Sequence, residues 1–150
     1  MDRRETIDYD ERRLLGKGAL GTVFLVRERS TLRRTWVMKR VNLRGLQHKA
    51  RDAAFQEVKL LQRLRHPHIV AHQDSFVHKS SNQLCILMAY CDGGDLHSKV
   101  QSHRKKGQPL REEQLAVWLL QLTLALEYLH ERHSIIHRDI KTQNVFLMKS

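Results

Sequence analysis

Cysteine is scarce in this chain and poorly placed for cross-linking. Its two cysteines, Cys85 and Cys91, lack C-x-x-C spacing, which argues against a disulfide framework or a cysteine-based zinc site and suits a reducing compartment. No signal-peptide pattern opens the chain, because Met1 to Arg13 is charged throughout. No run is long enough to span a bilayer. The most apolar stretch, Leu115 to Leu129, is interrupted by Gln121, Thr123 and Glu127. Internal repeats and low-complexity linkers are missing too. A cytoplasmic location is expected, with no membrane partner; the oligomeric state stays open. Acidic residues are also few: 27 Lys and Arg face 16 Asp and Glu, a formal net charge of +11. Such an excess raises the question of nucleic acid or acidic lipid. Only His103-Arg104-Lys105-Lys106 forms a compact basic cluster, and no aromatic residues interleave with it as stacking platforms. Nucleic-acid binding is therefore not expected as the main function.

What is present fits a globular chain. Hydrophobic residues make up 41% and charged residues 29%, a balance that can bury a core. The length of 150 residues suits one domain or part of a larger one. Residues 9 to 41 predict three strands, two of them at Thr22 to Arg27 and Thr35 to Val41. A helix is predicted at about Lys49 to Leu64, then strands at Ile69 to Val77 and Leu84 to Ala89. Gly93-Gly94 interrupts the pattern, and Asp95 can cap a short helix running to about Lys106. Leu115, Leu119, Leu122, Leu126 and Leu129 recur at helical spacing and predict a long helix from about Glu112 to His133. The order implies an α+β architecture, a small mixed lobe and then the start of a helical one, with a hinge near Tyr90 to Gly94.

Three features suggest nucleotide binding. Gly16-Lys17-Gly18-Ala19-Leu20-Gly21 fits G-x-G-x-x-G. In dinucleotide-binding folds that motif opens a helix, whereas here a strand-like run follows, so a glycine-rich hairpin is the better reading. Without Cβ atoms its amides can approach phosphate oxygens; an ordinary hairpin turn is the plainer alternative. Strand alternation puts Val37, Lys39 and Val41 on one face, an apolar contact beside an ammonium. The alternative is an exposed lysine on a strand. On the predicted helix, Ala50, Ala54, Glu57, Leu61 and Leu64 form an inward stripe. A carboxylate there needs a cation, since an unpaired buried charge is costly, and Lys39 is the expected partner. Alternatively Glu57 lies at the stripe edge and reaches water. Leu84 to Met88 reads as a buried strand whose exit, Ala89-Tyr90-Cys91, could offer backbone groups to an adenine edge.

Ten histidines raise a metal hypothesis. His66, His68, His72 and His78 form one set, and His130, His133 and His137 another. No matching cysteine or carboxylate constellation accompanies them, so structural zinc is not expected.

The segment His137-Arg138-Asp139-Ile140-Lys141-Thr142-Gln143-Asn144 gathers a carboxylate, an ammonium and a carboxamide, the groups that phosphoryl transfer from ATP requires. It resembles the catalytic loop of protein kinases. With the glycine loop, Lys39 and Glu57 in the same order, the resemblance covers about residues 9 to 147. More narrowly, Met88-Ala89-Tyr90-Cys91-Asp92-Gly93-Gly94-Asp95-Leu96 and His137 to Leu147 are similar to the NIMA-related serine/threonine kinases.

That resemblance implies a kinase-like small lobe, a five-stranded antiparallel sheet plus one helix, over about 9–91. The beginning of the helical large lobe would span about 92–150, after a charged tail at 1–8. It implies ATP and Mg²⁺ as cofactors, and protein Ser/Thr hydroxyls as acceptors. Asp139 would be the catalytic base, Lys141 would contact the γ-phosphate, and Asn144 would be a magnesium ligand. Lys39 would hold the α- and β-phosphates and pair with Glu57. The nucleotide would lie among Leu15, Gly16, Lys17, Gly18, Ala19, Leu20, Gly21, Thr22, Val23, Val37, Met88, Ala89, Cys91 and Phe146. Some positions depart from the family pattern: Leu20 where a tip aromatic is common, Val37 for alanine, Ala89 for a hinge glutamate, and His72 at an apolar spine position. No Asp or Glu follows Asp139, so a D-F-G segment is not present. The 150 residues alone are therefore expected not to turn over, with the leucine face of the long helix left exposed. The expected function of the longer parent is protein serine/threonine phosphorylation. A catalytically inactive nucleotide-binding or scaffold module is the alternative.

Overall fold

A computed structural model describes residues 9–18, 21–29 and 34–149. Ala19 and Leu20 lie outside the described residues, as does Ser150. The chain forms two compact units. One runs to Leu64 and takes in Ala71–Tyr90; the other holds Arg65–Val70 and the chain from Cys91 onward.

The first unit is a sheet with one helix. Its elements are β1 (Tyr9–Gly18), β2 (Gly21–Glu28), β3 (Thr35–Asn42), α1 (His48–Leu61), β4 (His72–His78) and β5 (Gln83–Ala89). The five strands pair antiparallel in the order β1-β2-β3-β5-β4. This is the five-stranded sheet plus helix that the sequence led us to expect. Alternation sorts the side chains onto two faces. Val41, Leu43, Leu84 and Ile86 face α1, which contributes Val58 with Ala54, Phe55 and Leu61. Val26, Met38, Cys85 and Leu87 pack on the opposite face with Tyr9, Phe24, Trp36 and Phe76. Burial, with the added charge of Glu28 and Asp74 nearby, raises the Tyr9 hydroxyl to about 12. Leu87 is 0% exposed, so truncation leaves a cavity that rigid neighbours cannot fill. Leu87→Ala should cost about 2–5 kcal/mol of stability, read as a lower midpoint in denaturant with an unchanged m-value.

Two expectations need correction here. The predicted strand from Ile69 begins only at His72, because Ile69 N–H closes a turn onto His66 O at 3.2 Å. The helical stripe holds at Ala54, Leu61 and Leu64 but not at its margins. Ala50 is exposed and the Glu57 side chain is 43% exposed, while Val58 is 6% exposed. Helix α1 ends at Leu61, and Leu64 is buried in the turn beyond it.

The second unit joins its two ends by a short antiparallel pairing of strands distant in sequence. β6 (Gly94–Asp95) pairs with β7 (Phe146–Leu147). Next come α2 (Leu96–Lys105) and α3 (Glu112–Glu127), a π turn at Tyr128–Arg132, and a 3-10 turn at Thr142–Asn144. Asp95 caps α2: Oδ1 accepts from Ser98 N–H at 2.7 Å and Oδ2 from its hydroxyl at 2.9 Å. These bonds, the backbone one foremost, hold the Asp95 carboxyl below the usual range. His103, Arg104 and Lys105 in the last turn complement the helix dipole. The α-helical pattern predicted to reach His133 ends at Glu127 and continues as the π turn. On α3, Leu115 and Leu119 are 43% and 65% exposed, whereas Leu129 in the π turn is buried. Among the described residues, no helix is long and apolar enough to cross a membrane.

Candidate active site

In the first unit, strand register aligns the predicted nucleotide-binding residues. Gly16 on β1 lies opposite Val23 on β2, Val23 opposite Lys39 on β3, and Lys39 opposite Ile86 on β5. Val37 lies two residues before Lys39, between Leu25 and Met88. Lys39 Nζ donates to Glu57 Oε1 at 2.8 Å, with side chains 23% and 43% exposed. The pair therefore forms at the edge of the α1 stripe, not beneath it. Solvent reaches Glu57, so the pair adds only about 0–1 kcal/mol to stability. Its value lies in fixing where the ammonium points.

The three loop glycines differ in what requires them. A Cβ at Gly16 or Gly18 would meet nothing within 4 Å. The fold leaves open space there, which fits an approaching phosphate. Gly21 has φ +149°, and a Cβ there would strike the Arg40 carbonyl, so its need is internal. Gly21→Ala should pry β2 from β3 and lower the melting temperature by several degrees. Gly16→Ala should leave it within about 2 °C, since changes away from such features fall within about ±0.5 kcal/mol. Leu15 is 39% exposed, at a bulge between Leu14 and Gly16 that breaks simple alternation. Lys17 pairs opposite Thr22. At the strand exit, Met88 is half-buried, and Ala89 N–H is spent on Ala71 O at 2.9 Å. The Ala89 N–H is therefore not among the backbone groups that this strand exit can offer a ligand.

In the second unit, the catalytic-loop residues form one cluster. Lys141 Nζ lies 2.9 Å from Asp139 Oδ2. Asn144 Nδ2 donates to Asp139 O and to Asp139 Oδ2, each at 2.9 Å. Asn144 N–H also bonds Lys141 O at 2.9 Å, closing the 3-10 turn. Asp139 N–H donates to His137 Nδ1 at 3.3 Å, and Arg138 adopts a left-handed φ of 65°. The bond from Lys141, then that from Asn144, hold the Asp139 carboxyl below the ordinary carboxylate range. Asp139 is thus ionised at neutral pH, as any ordinary carboxylate is, and the lowered pKa extends that form further toward acid. Lys141→Met should move the Asp139 titration, followed by carbon-13 NMR, upward toward the ordinary value of about 3.9.

The strand-like edges pin this cluster. Gly93 N–H donates to Leu147 O at 2.8 Å, Leu96 N–H to Val145 O at 2.8 Å, and Lys149 N–H to Asp92 Oδ1 at 2.8 Å. A Cβ on Gly93 would lie 2.6 Å from Leu147 O, so that glycine serves close packing as well as interrupting the chain. The sequence did not reveal these positioning roles of Asp92, Gly93 and Val145; the D-G-G-D pattern was their only signal. Phe146 is 51% exposed. Cys91 is half-buried, and burial followed by the Asp92 charge raises its thiol pKa. Among the described residues, no three His, Cys, Asp or Glu side chains group as metal ligands.

The family model described as "Protein kinase domain" matches residues 9–150. The chain belongs to the protein kinase family. Similar curated proteins support the narrower resemblance to NIMA-related kinases. Serine/threonine-protein kinase Nek4 of Mus musculus is 44% identical over 142 residues, 95% of this chain and 17% of that protein. Nek3 of Oryza sativa subsp. japonica is 38% identical, across 94% of this chain and 23% of its own length. Nek5 of Homo sapiens is 38% identical, across 95% and 19%. This kinase-family chain thus spans less than a quarter of the length of these relatives.

Proposed function

We propose that the protein containing this chain transfers the γ-phosphoryl group of ATP to serine and threonine hydroxyls of proteins, with magnesium. The observation that carries this reading is the Asp139–Lys141–Asn144 cluster. Asp139 stays ionised and can accept a hydrogen bond from an acceptor hydroxyl, orienting it and taking its proton. The Lys141 ammonium, 2.9 Å from that carboxylate, is placed to offset charge on a phosphoryl group in transit.

Asn144 fits a metal-facing role. Both hydrogen bonds from its Nδ2 go to Asp139, so the side-chain oxygen is the end left to offer a cation. Bound magnesium would neutralise charge on the phosphate oxygens. In the first unit, Lys39 would take the α- and β-phosphates, held in aim by Glu57, and the open ground beside Gly16 and Gly18 would admit them. Val23 and Val37 would contact the adenine. A cytoplasmic setting is proposed on the two unbridged thiols.

The test is phosphoryl transfer by the full-length protein from radiolabelled ATP, with magnesium and a generic Ser/Thr protein substrate. Label recovered as phosphoserine and phosphothreonine is the expected result. No transfer above a blank, with nucleotide binding intact, would instead support an inactive nucleotide-binding module.

A further inference from the structure

The turn between β4 and β5 is chemically distinct from the site above. It reads Lys79-Ser80-Ser81-Asn82. Asn82 N–H bonds Lys79 O at 3.3 Å, and Asn82 takes a left-handed φ of 52°. This tight turn projects Ser80 into solvent, while Ser81 is half-buried. The Ser81 hydroxyl lies 3.0 Å from His78 Nδ1 and 3.3 Å from Gln83 Oε1. The Ser80 hydroxyl has only a 3.2 Å contact with the same imidazole nitrogen.

Positive charge reaches the turn from another part of the chain. Arg44 reaches across from the β3–α1 link, and its guanidinium donates to Ser80 O at 3.0 Å. No carboxylate among the described residues lies within ion-pair distance of Arg44. Lys79 immediately precedes the serine in the chain. Beside the turn, Arg40, His78, Ser81 and Gln83 line an open cavity of about 220 Å³. The β3–α1 link is already tied here: Leu43 N–H donates to Asn82 O at 3.0 Å, and Arg44 N–H to Asn42 Oδ1 at 3.0 Å.

We propose that Ser80 is a phosphorylation site and that Arg44 holds its phosphate, locking the β4–β5 turn to the β3–α1 link. The donor class is a nucleoside triphosphate, used by a serine-directed protein kinase. The Ser80 Oγ–P bond forms as the bond between the β–γ bridging oxygen and the γ-phosphorus breaks. The nucleoside diphosphate leaves, and the hydroxyl proton passes to a carboxylate of the phosphorylating enzyme. The product carries about −1.5 to −2 charge and three acceptor oxygens at neutral pH. It forms beside a guanidinium whose planar fork matches phosphate geometry. Helix α1, which carries Glu57, begins shortly after the link at His48. The modification would therefore stiffen the base from which that helix leaves. The inference does not depend on this chain's own catalytic activity.

The experiment uses the full-length protein with phosphoserine installed at position 80 by codon reassignment. It is compared with the unmodified protein and with Arg44→Gln versions of both. The unfolding transition of the domain that contains the turn should move up by about 2–4 °C, the shift that about 1 kcal/mol gives in a domain of roughly 150–250 residues. Amide exchange over residues 43–47 should slow several-fold. Both differences should vanish with Arg44→Gln. Equal melting temperatures, or a rise that survives Arg44→Gln, would overturn the clamp. A second arm maps phosphopeptides of the protein isolated from its own cells under phosphatase inhibition. Phosphate on Ser80, lost in Ser80→Ala, is expected. Recovery of the Ser80 peptide only unmodified, or with phosphate on Ser81 alone, would overturn the acceptor assignment.

Discussion

Asp139→Asn in the full-length protein should lower kcat by about 10²–10⁴-fold, the range for losing a positioned general base, while leaving the KM for ATP nearly unchanged. The substitution is close to isosteric. It retains the backbone carbonyl that accepts from Asn144 at 2.9 Å, and it retains the N–H that bonds His137 Nδ1. It removes the charge that Lys141 pairs with at 2.9 Å and the oxygen that would receive the acceptor's proton. The side chain is exposed, so folding should be unaffected and the melting temperature should stay put. Steady-state kinetics with a peptide acceptor, beside a nucleotide-binding measurement, separates the two effects. Turnover within tenfold of the parent would remove Asp139 from the chemistry.

The second large effect is expected at Lys39. Lys39→Met should reduce kcat/KM about 10²–10³-fold, the cost of deleting one preorganised electrostatic contact. Stability should change by no more than about 1 kcal/mol, because Glu57 is 43% exposed and the pair is screened. This contrast distinguishes a functional pair from a structural one. Glu57→Gln should show a smaller defect of the same kind, since it removes the partner that aims the ammonium while leaving the ammonium itself. In a double-mutant cycle the two losses should be strongly non-additive. Additive losses would mean that the 2.8 Å contact has no functional consequence.

Much of the fold was legible because short-range periodicity encodes burial. Alternation in Thr35 to Val41 placed Val37, Lys39 and Val41 on one face, and the strand register agrees. Asp95 announced its helix by residue type and offset, and it caps that helix in the structure. The catalytic-loop cluster was legible because its residues are close in sequence, so few backbone torsions separate Asp139 from Asn144.

Other features depended on groups distant along the chain. The inward stripe of α1 was legible at Ala54 and Leu61 but not at Ala50, and Glu57 lies at its edge, because a helical stripe has no sharp boundary. Only packing against Leu84 and Ile86 decided that Val58 goes inward and Glu57 stays at the rim. The correct pairing of Lys39 with Glu57 thus came with the wrong reason: contact geometry, not the cost of a buried charge, brings them together. Nothing local could show that Gly21 faces the Arg40 carbonyl, that Ala89 N–H is spent on Ala71, or that Gly93 lies against Leu147. By itself the sequence determined the element order, the chemical inventory and the family. The tertiary structure decided which backbone groups remain free and which glycines the fold requires, because both depend on a neighbour that another strand supplies.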